Sequence, residues 1–121
     1  APLVLVLALA VMQLALALHV RSTLTAAAAE SALRDNDVQL VDLRNAGELS
    51  IGAVPGAVHI PLPELTARLG ELDPARPVLL YCAGGWRSAV GASVLRAHGF
   101  TDVSDLLGGY GAWSLAQARA S

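Results

Sequence analysis

Apolar and polar residues divide the chain into two unequal parts. From Ala1 to Val20 the only polar side chains are Gln13 and His19, and no charge appears before Arg21. Leucine, valine and alanine would surround a helix built from this run and leave it no polar face. Twenty helical residues at ~1.5 Å each reach about 30 Å, the hydrocarbon thickness of a bilayer. The run is therefore expected to be a membrane anchor. The alternatives are a cleaved secretory signal, a helix packed on a partner, or part of a longer polypeptide. Residues 1-21 are read as this apolar segment and residues 22-121 as one folded domain.

The pattern in the second part is different. Arg21 to Thr25 reads as a polar link, and Thr25 can cap a helix over Ala26 to Leu33 that ends near Asp35-Asn36-Asp37. Val38 to Val41 is a short buried strand, followed by a short helix around Ala46 to Leu49 and turns at Gly52 and Pro55-Gly56. Val58 to Ile60 is a further strand. Pro63 suits the start of a helix running to Leu69, with Gly70 as its stop. Pro77 to Tyr81 is an apolar strand. Ser88 to His98 carries Val90, Val94, Leu95 and His98 at helical spacing before Gly99. Thr101 to Leu106 supplies a last strand and Tyr110 to Ala118 a last helix. Strands alternating with helices predict an α/β fold, a mainly parallel sheet covered on both faces. Ligands of such sheets bind beyond the carboxyl ends of the strands, where Asp42, Arg44 and Cys82 fall.

Cys82 is the only cysteine, and it opens the loop Cys82-Ala83-Gly84-Gly85-Trp86-Arg87-Ser88 between a strand and a helix. Backbone N–H groups of such a loop, those of the helix's first turn and the Arg87 guanidinium form a nest for an anion at sulfur. The two glycines allow positive φ and close approach of the backbone to a ligand. Cysteines in settings of this kind react as thiolates, whereas a lone cysteine elsewhere usually acts as a small core hydrophobe.

Composition narrows the chemistry. The 121 residues hold 8 arginines, no lysine and 10 acidic residues, a net charge of −2. With no basic stripe and no aromatic interleaving, nucleic acid is not an expected ligand. One cysteine excludes an internal disulfide and leaves no second thiol to resolve a persulfide on Cys82, so an acceptor must come from another molecule. His19, His59 and His98 show no ligand spacing, and no metal or other cofactor is expected.

The cysteine loop resembles the active-site loop of the rhodanese-like sulfurtransferases, and two further blocks carry the resemblance. Leu40-Val41-Asp42-Leu43-Arg44, Glu48 and Gly52 to Pro61 are similar to the family's first signature. Gly99-Phe100, Val103, Leu107-Gly108-Gly109-Tyr110 and Trp113 are similar to its last. The three blocks occur in order from about Thr23 onward. Ala53 stands where the family commonly has histidine, and Arg87 is the only cation of the loop.

The resemblance implies a three-layer rhodanese-like domain preceded by the N-terminal hydrophobic helix. It implies a sulfurtransferase that moves sulfane sulfur from thiosulfate or a persulfide, through a Cys82 persulfide, to a thiol, cyanide or protein acceptor. In that reading Cys82 and Arg87 are catalytic, and Ala83, Gly84, Gly85, Trp86, Ser88 and Arg44 bind substrate. Asp42 and Glu48 support the site, with Arg44 either paired to Glu48 or touching substrate. Ser88 caps the following helix or bonds to the persulfide. Trp86 is a candidate contact for a donor or acceptor protein, and Tyr110 and Trp113 pack the last helix on the sheet. Two other functions stand beside this one. A non-catalytic binding module at a membrane is one. A phosphatase or arsenate reductase relative is the other, disfavoured because those loops place five residues between cysteine and arginine where this chain has four. Arg21 and Arg34 follow the apolar run, which predicts a catalytic domain on the cytoplasmic side of a membrane. Export after signal cleavage is the alternative.

Overall fold

The computed structural model describes residues 2–19, 22–35 and 37–121. Ala1, Val20 and Arg21, which bound the apolar run and carry its basic flank, and Asn36 at the expected end of the next helix lie outside the described residues. The apolar run forms α1, Pro2–His19. Its 18 residues reach about 27 Å at ~1.5 Å each. Among the described residues no helix is long and apolar enough to cross a membrane. Leu3, Val4, Leu5, Val6, Leu7 and Leu9 of α1 are exposed.

Among the described residues the domain is built on five strands: β1 (Ser22–Leu24), β2 (Gln39–Asp42), β3 (Val58–His59), β4 (Val78–Tyr81) and β5 (Val103–Leu106). They lie in the order β1-β5-β4-β2-β3, and every pair is parallel. Side chains alternate across the sheet with the period of two that pleating imposes. Val41, Leu43, Val78 and Leu80 enter one core with Cys82, Ala92, Leu95 and Phe100, beneath α3 (Trp86–Ala97). Leu40, Leu79, Tyr81 and Leu106 enter the other, beneath α2 (Ala26–Leu33) and α4 (Gly109–Ala120), where Tyr110 and Trp113 pack as expected. Cys82 thus continues the alternation of β4 on the α3 side, and Tyr81 points the opposite way.

The structure corrects several elements. The link after the apolar run contains β1, held parallel to β5. The helix expected from Pro63 to Leu69 is two short 3₁₀ segments, Leu62–Glu64 and Thr66–Glu71, with Arg68 off helical geometry. The helix around Ala46 is also 3₁₀, Ala46–Ile51. The Thr25 cap is as expected, its hydroxyl accepting from the Ala28 N–H at 3.2 Å. The helix after the cysteine loop begins at Trp86, two residues before the expected start, because Gly85 is its N-cap.

Candidate active site

β4 delivers Cys82 to the carboxyl edge of the sheet, and the chain turns at once into α3. Gly85 makes that turn at φ 114°, a left-handed conformation open to glycine and costly for residues bearing Cβ. The turn brings the Gly85 N–H back onto Cys82 Sγ at 3.1 Å. The Cys82 thiol lies 3.8 Å from Ser88 Oγ, and that hydroxyl donates to the Gly85 carbonyl at 2.9 Å. Ser88 is therefore not the helix cap but a buried hydroxyl on the first turn, facing the sulfur. The first bond of α3 runs from the Ala89 N–H to the Gly85 carbonyl, so the amides of Trp86, Arg87 and Ser88 have no acceptor within the helix. Cys82 is fully buried, while Ala83, Gly84 and Trp86 above it are exposed.

The loop is clamped from the other side by α4. The Tyr110 N–H donates to the Cys82 carbonyl at 2.7 Å and the Gly111 N–H to the Ala83 carbonyl at 3.4 Å. A Cβ at Gly109 would overlap both of those carbonyls, so only glycine lets α4 approach so closely. The Gly108-Gly109 pair of the last signature block thus shapes the cysteine loop, although it sits 26 residues and more downstream.

Arg87 leaves the first turn of α3 and meets Glu48 in a two-pronged bond, Nη1 to Oε2 at 2.7 Å and Nη2 to Oε1 at 2.8 Å. Glu48 Oε2 also accepts the Asn45 N–H at 2.8 Å. The Arg87 hydrogen bonds, then the Asn45 amide, hold the Glu48 carboxyl down at about 2. The Arg87 pKa is raised, chiefly by Glu48 and to a smaller degree by the Cys82 sulfur.

Arg44 pairs with Asp42, which corrects the expected Arg44–Glu48 pair. Its Nε and Nη2 bond the Asp42 carboxylate at 2.8 to 3.2 Å, and Nη2 also bonds the Gly52 carbonyl at 2.8 Å. Nη1 bonds only the backbone carbonyl of Glu48, at 3.4 Å. Arg44 is fully buried with the Tyr110 ring 4.4 Å from its guanidinium, so it has no face left for a substrate. Asp42 does bind a loop amide, the Arg44 N–H at 3.0 Å, and it also accepts the Tyr81 hydroxyl at 2.7 Å. Burial alone would raise its pKa, but bonds from the Arg44 side chain and backbone and from Tyr81 leave it lowered. Tyr81, first by burial, is pushed up to about 12.

Tyr81 is the residue that sequence reasoning missed. Its hydroxyl also accepts the Val54 N–H at 3.1 Å, tying the loop that carries Glu48 and Gly52 to the central strand. A tyrosine ending a fully buried strand needs a partner for its hydroxyl, and that need was the available signal. His59 and His98 bond backbone carbonyls of Arg44 and Val94, and among the described residues no cluster could hold a metal ion.

These features define a class: a parallel α/β domain with a cysteine cradled between strand and helix by a four-residue loop. The Rhodanese-like domain model matches residues 25–116, and the chain belongs to that family. It is similar to a sulfurtransferase of Allochromatium vinosum, 36% identical over 78 residues, covering 64% of this chain and 73% of that protein. It is also similar to thiosulfate sulfurtransferase GlpE of Shewanella oneidensis, 36% identical over 81 residues, covering 67% and 80%. The crystal structure of a rhodanese-like domain protein from Staphylococcus aureus superposes with a TM-score of 0.70 at 31% identity, covering 76% of this chain and 90% of that one. A TadE-like protein model matches residues 1–33, too short a stretch to assign that family.

Proposed function

We propose that the protein is a sulfurtransferase whose rhodanese-like domain works through a persulfide on Cys82. The observation that carries this reading is the Gly85 N–H on Cys82 Sγ within a four-residue loop. In the first half-reaction the Cys82 thiolate attacks the outer sulfur of a donor such as thiosulfate or a persulfide. The donor's S–S bond breaks, its remaining atoms leave with the bonding electron pair, and Cys82-S-S⁻ forms. In the second, an acceptor thiol, cyanide or protein thiolate attacks the terminal sulfur and restores the Cys82 thiolate, which gives ping-pong kinetics. Charge on sulfur is stabilised by fixed donors: the Gly85 amide, the amides opening α3, the Ser88 hydroxyl once it turns from Gly85, and the Arg87 cation. Trp86, exposed beside them, offers an apolar contact to donor or acceptor.

The short ring argues against phosphoryl chemistry, since four intervening residues enclose one sulfur better than a tetrahedral phosphate. A scaffold without catalysis would have no need of the cradled thiol. Intact mass spectrometry after incubation with thiosulfate or glutathione persulfide tests the reading. A gain of about 32 Da on Cys82, one sulfur atom, is expected, and Cys82→Ser removes it and all sulfur transfer while leaving the fold intact. Full turnover by folded Cys82→Ser would end the persulfide mechanism.

The proposal extends to attachment at a membrane through residues 1-20, with the catalytic domain in the cytoplasm. It is supported by the exposed apolar residues of α1 and by the arginines that follow them in the sequence. Protease treatment of intact cells, probing a C-terminal tag, tests it: the tag should survive. Its digestion from outside, or its release into a soluble fraction, would point to the exported alternative.

A further inference from the structure

The Arg87 fork is already occupied. Both of its terminal nitrogens bond Glu48, and Glu48 is fixed from behind by the Asn45 amide and through its own carbonyl by Arg44. The carboxylate is therefore a built part of the mouth, not a loose side chain that an incoming anion sweeps aside. Next to Cys82 the cation and the carboxylate cancel, and the other arginine near the site, Arg44, is buried and neutralised by Asp42. A donor carrying two negative charges meets an engaged guanidinium and a carboxylate that repels it. A donor with one charge and an apolar body meets less repulsion and finds the exposed Trp86 ring beside the loop.

We propose that Glu48 is a specificity-determining residue, which turns the site away from dianionic inorganic donors and toward singly charged organic sulfane-sulfur donors. The proposal rests on the sulfurtransferase reading and names its donor class. Both donor types undergo the same step. With thiosulfate, the Cys82 thiolate takes the outer sulfur, the donor S–S bond breaks, and sulfite leaves with the electron pair. With benzenethiosulfonate, the thiolate takes the terminal sulfur and benzenesulfinate leaves in the same way. Each reaction conserves charge and needs no outside oxidant or reductant. Glu48 remains ionised far below neutral pH, so substitution and not titration is the way to open the fork.

The test compares kcat/KM for thiosulfate and benzenethiosulfonate, with cyanide as common acceptor, in the 121-residue chain and in Glu48→Gln and Glu48→Asp. The wild type should prefer benzenethiosulfonate. Glu48→Gln should raise the thiosulfate-to-benzenethiosulfonate ratio at least about tenfold, and Glu48→Asp, which keeps the charge, should hold the wild-type ratio. A ratio that moves equally in both variants, or in neither, overturns the proposal. A second measurement does not depend on turnover. Thiosulfate should bind at least about tenfold more tightly to Cys82→Ser/Glu48→Gln than to Cys82→Ser by calorimetry, and equal binding overturns the assignment of Glu48. Absence of a Cys82 persulfide with both donors would instead overturn the sulfurtransferase reading beneath it, a failure the calorimetry separates from the first.

Discussion

Two arginine–carboxylate pairs flank the cysteine loop, and their chemistry is the same while their surroundings are not. Asp42–Arg44 closes at 2.8 Å with both side chains essentially excluded from solvent. Glu48–Arg87 closes at 2.7 Å with 31% of the Glu48 side chain and 17% of the Arg87 side chain exposed. The first pair is enclosed by the Tyr81 hydroxyl, the Gly52 carbonyl and the Tyr110 ring, so nothing can exchange with it. The second stands at the mouth, partly open to solvent, where its carboxylate faces whatever ligand approaches the cysteine loop. Burial turns one ion pair into a fastening of the fold and leaves the other available to chemistry. The distinction matters because the resemblance allowed Arg44 to pair with Glu48, whereas the fold gives Arg44 to Asp42 and Glu48 to Arg87, 39 residues away.

The comparison breaks most visibly at the buried pair. Asp42→Ala leaves the Arg44 charge enclosed without its counter-ion, and truncation of one partner of a buried pair costs about 3–5 kcal/mol. That is a large fraction of the ~5–15 kcal/mol that holds a small domain together. Denaturant titration should show the loss as a lower midpoint. A loss below about 1 kcal/mol would mean that water reaches Arg44 and that the pair is not the fastening described.

Arg87→Ala should show the reverse profile. A partly exposed pair contributes about 0–1 kcal/mol to stability, so the midpoint should hardly move. Removing a cation beside developing charge on sulfur should cost about 2–4 kcal/mol in the transition state of the first half-reaction. Arg87→Lys should recover part of the rate, because lysine restores charge without the planar fork that Glu48 grips. Wild-type kinetics in Arg87→Ala with every donor would reassign Arg87 as structural.

The pairings also mark where the sequence was readable. The alternation of strands and helices, the Thr25 cap and the position of Cys82 at a strand end follow from local pattern and local capping, and the structure has them. β1 does not follow from pattern. Its three residues have no apolar run, and it is held by cross-strand bonds to β5, Ser22 Oγ to Ser104 Oγ at 2.8 Å and Thr23 Oγ1 to Asp105 at 3.0 Å. The Pro63 helix failed because Leu62 and Leu65 are drawn into the α3 core one short turn at a time, which the 3₁₀ geometry permits. Within the site, the cysteine loop was legible because its chemistry is contiguous. The partners of Arg44 and Arg87 were not, since tertiary packing chose them.

The smallest expected effect, and the one that sharpens the comparison furthest, is the acid dependence of stability. Both carboxylates are held below their ordinary values, Asp42 by Arg44 and Tyr81 against the cost of burial, and Glu48 to about 2 by Arg87 and Asn45. An acid lowered in the folded state binds fewer protons there than in the unfolded chain. The stability it contributes is complete above the unfolded value of about 4 and is lost as pH falls through the folded one. The wild-type midpoint should therefore stay level for these two groups above about pH 5 and decline from about pH 4 toward pH 2 and below. Glu48→Gln should remove only a shallow part of that decline, less than about 1 kcal/mol, because its pair is partly solvated and screened. Asp42→Asn should remove the steeper part, having already lowered the plateau at neutral pH. Thermal denaturation of the two variants from pH 7 down to pH 2 separates them. Equal slopes would show that solvent reaches both pairs alike, and the division between a fastening and a functional pair would then fall.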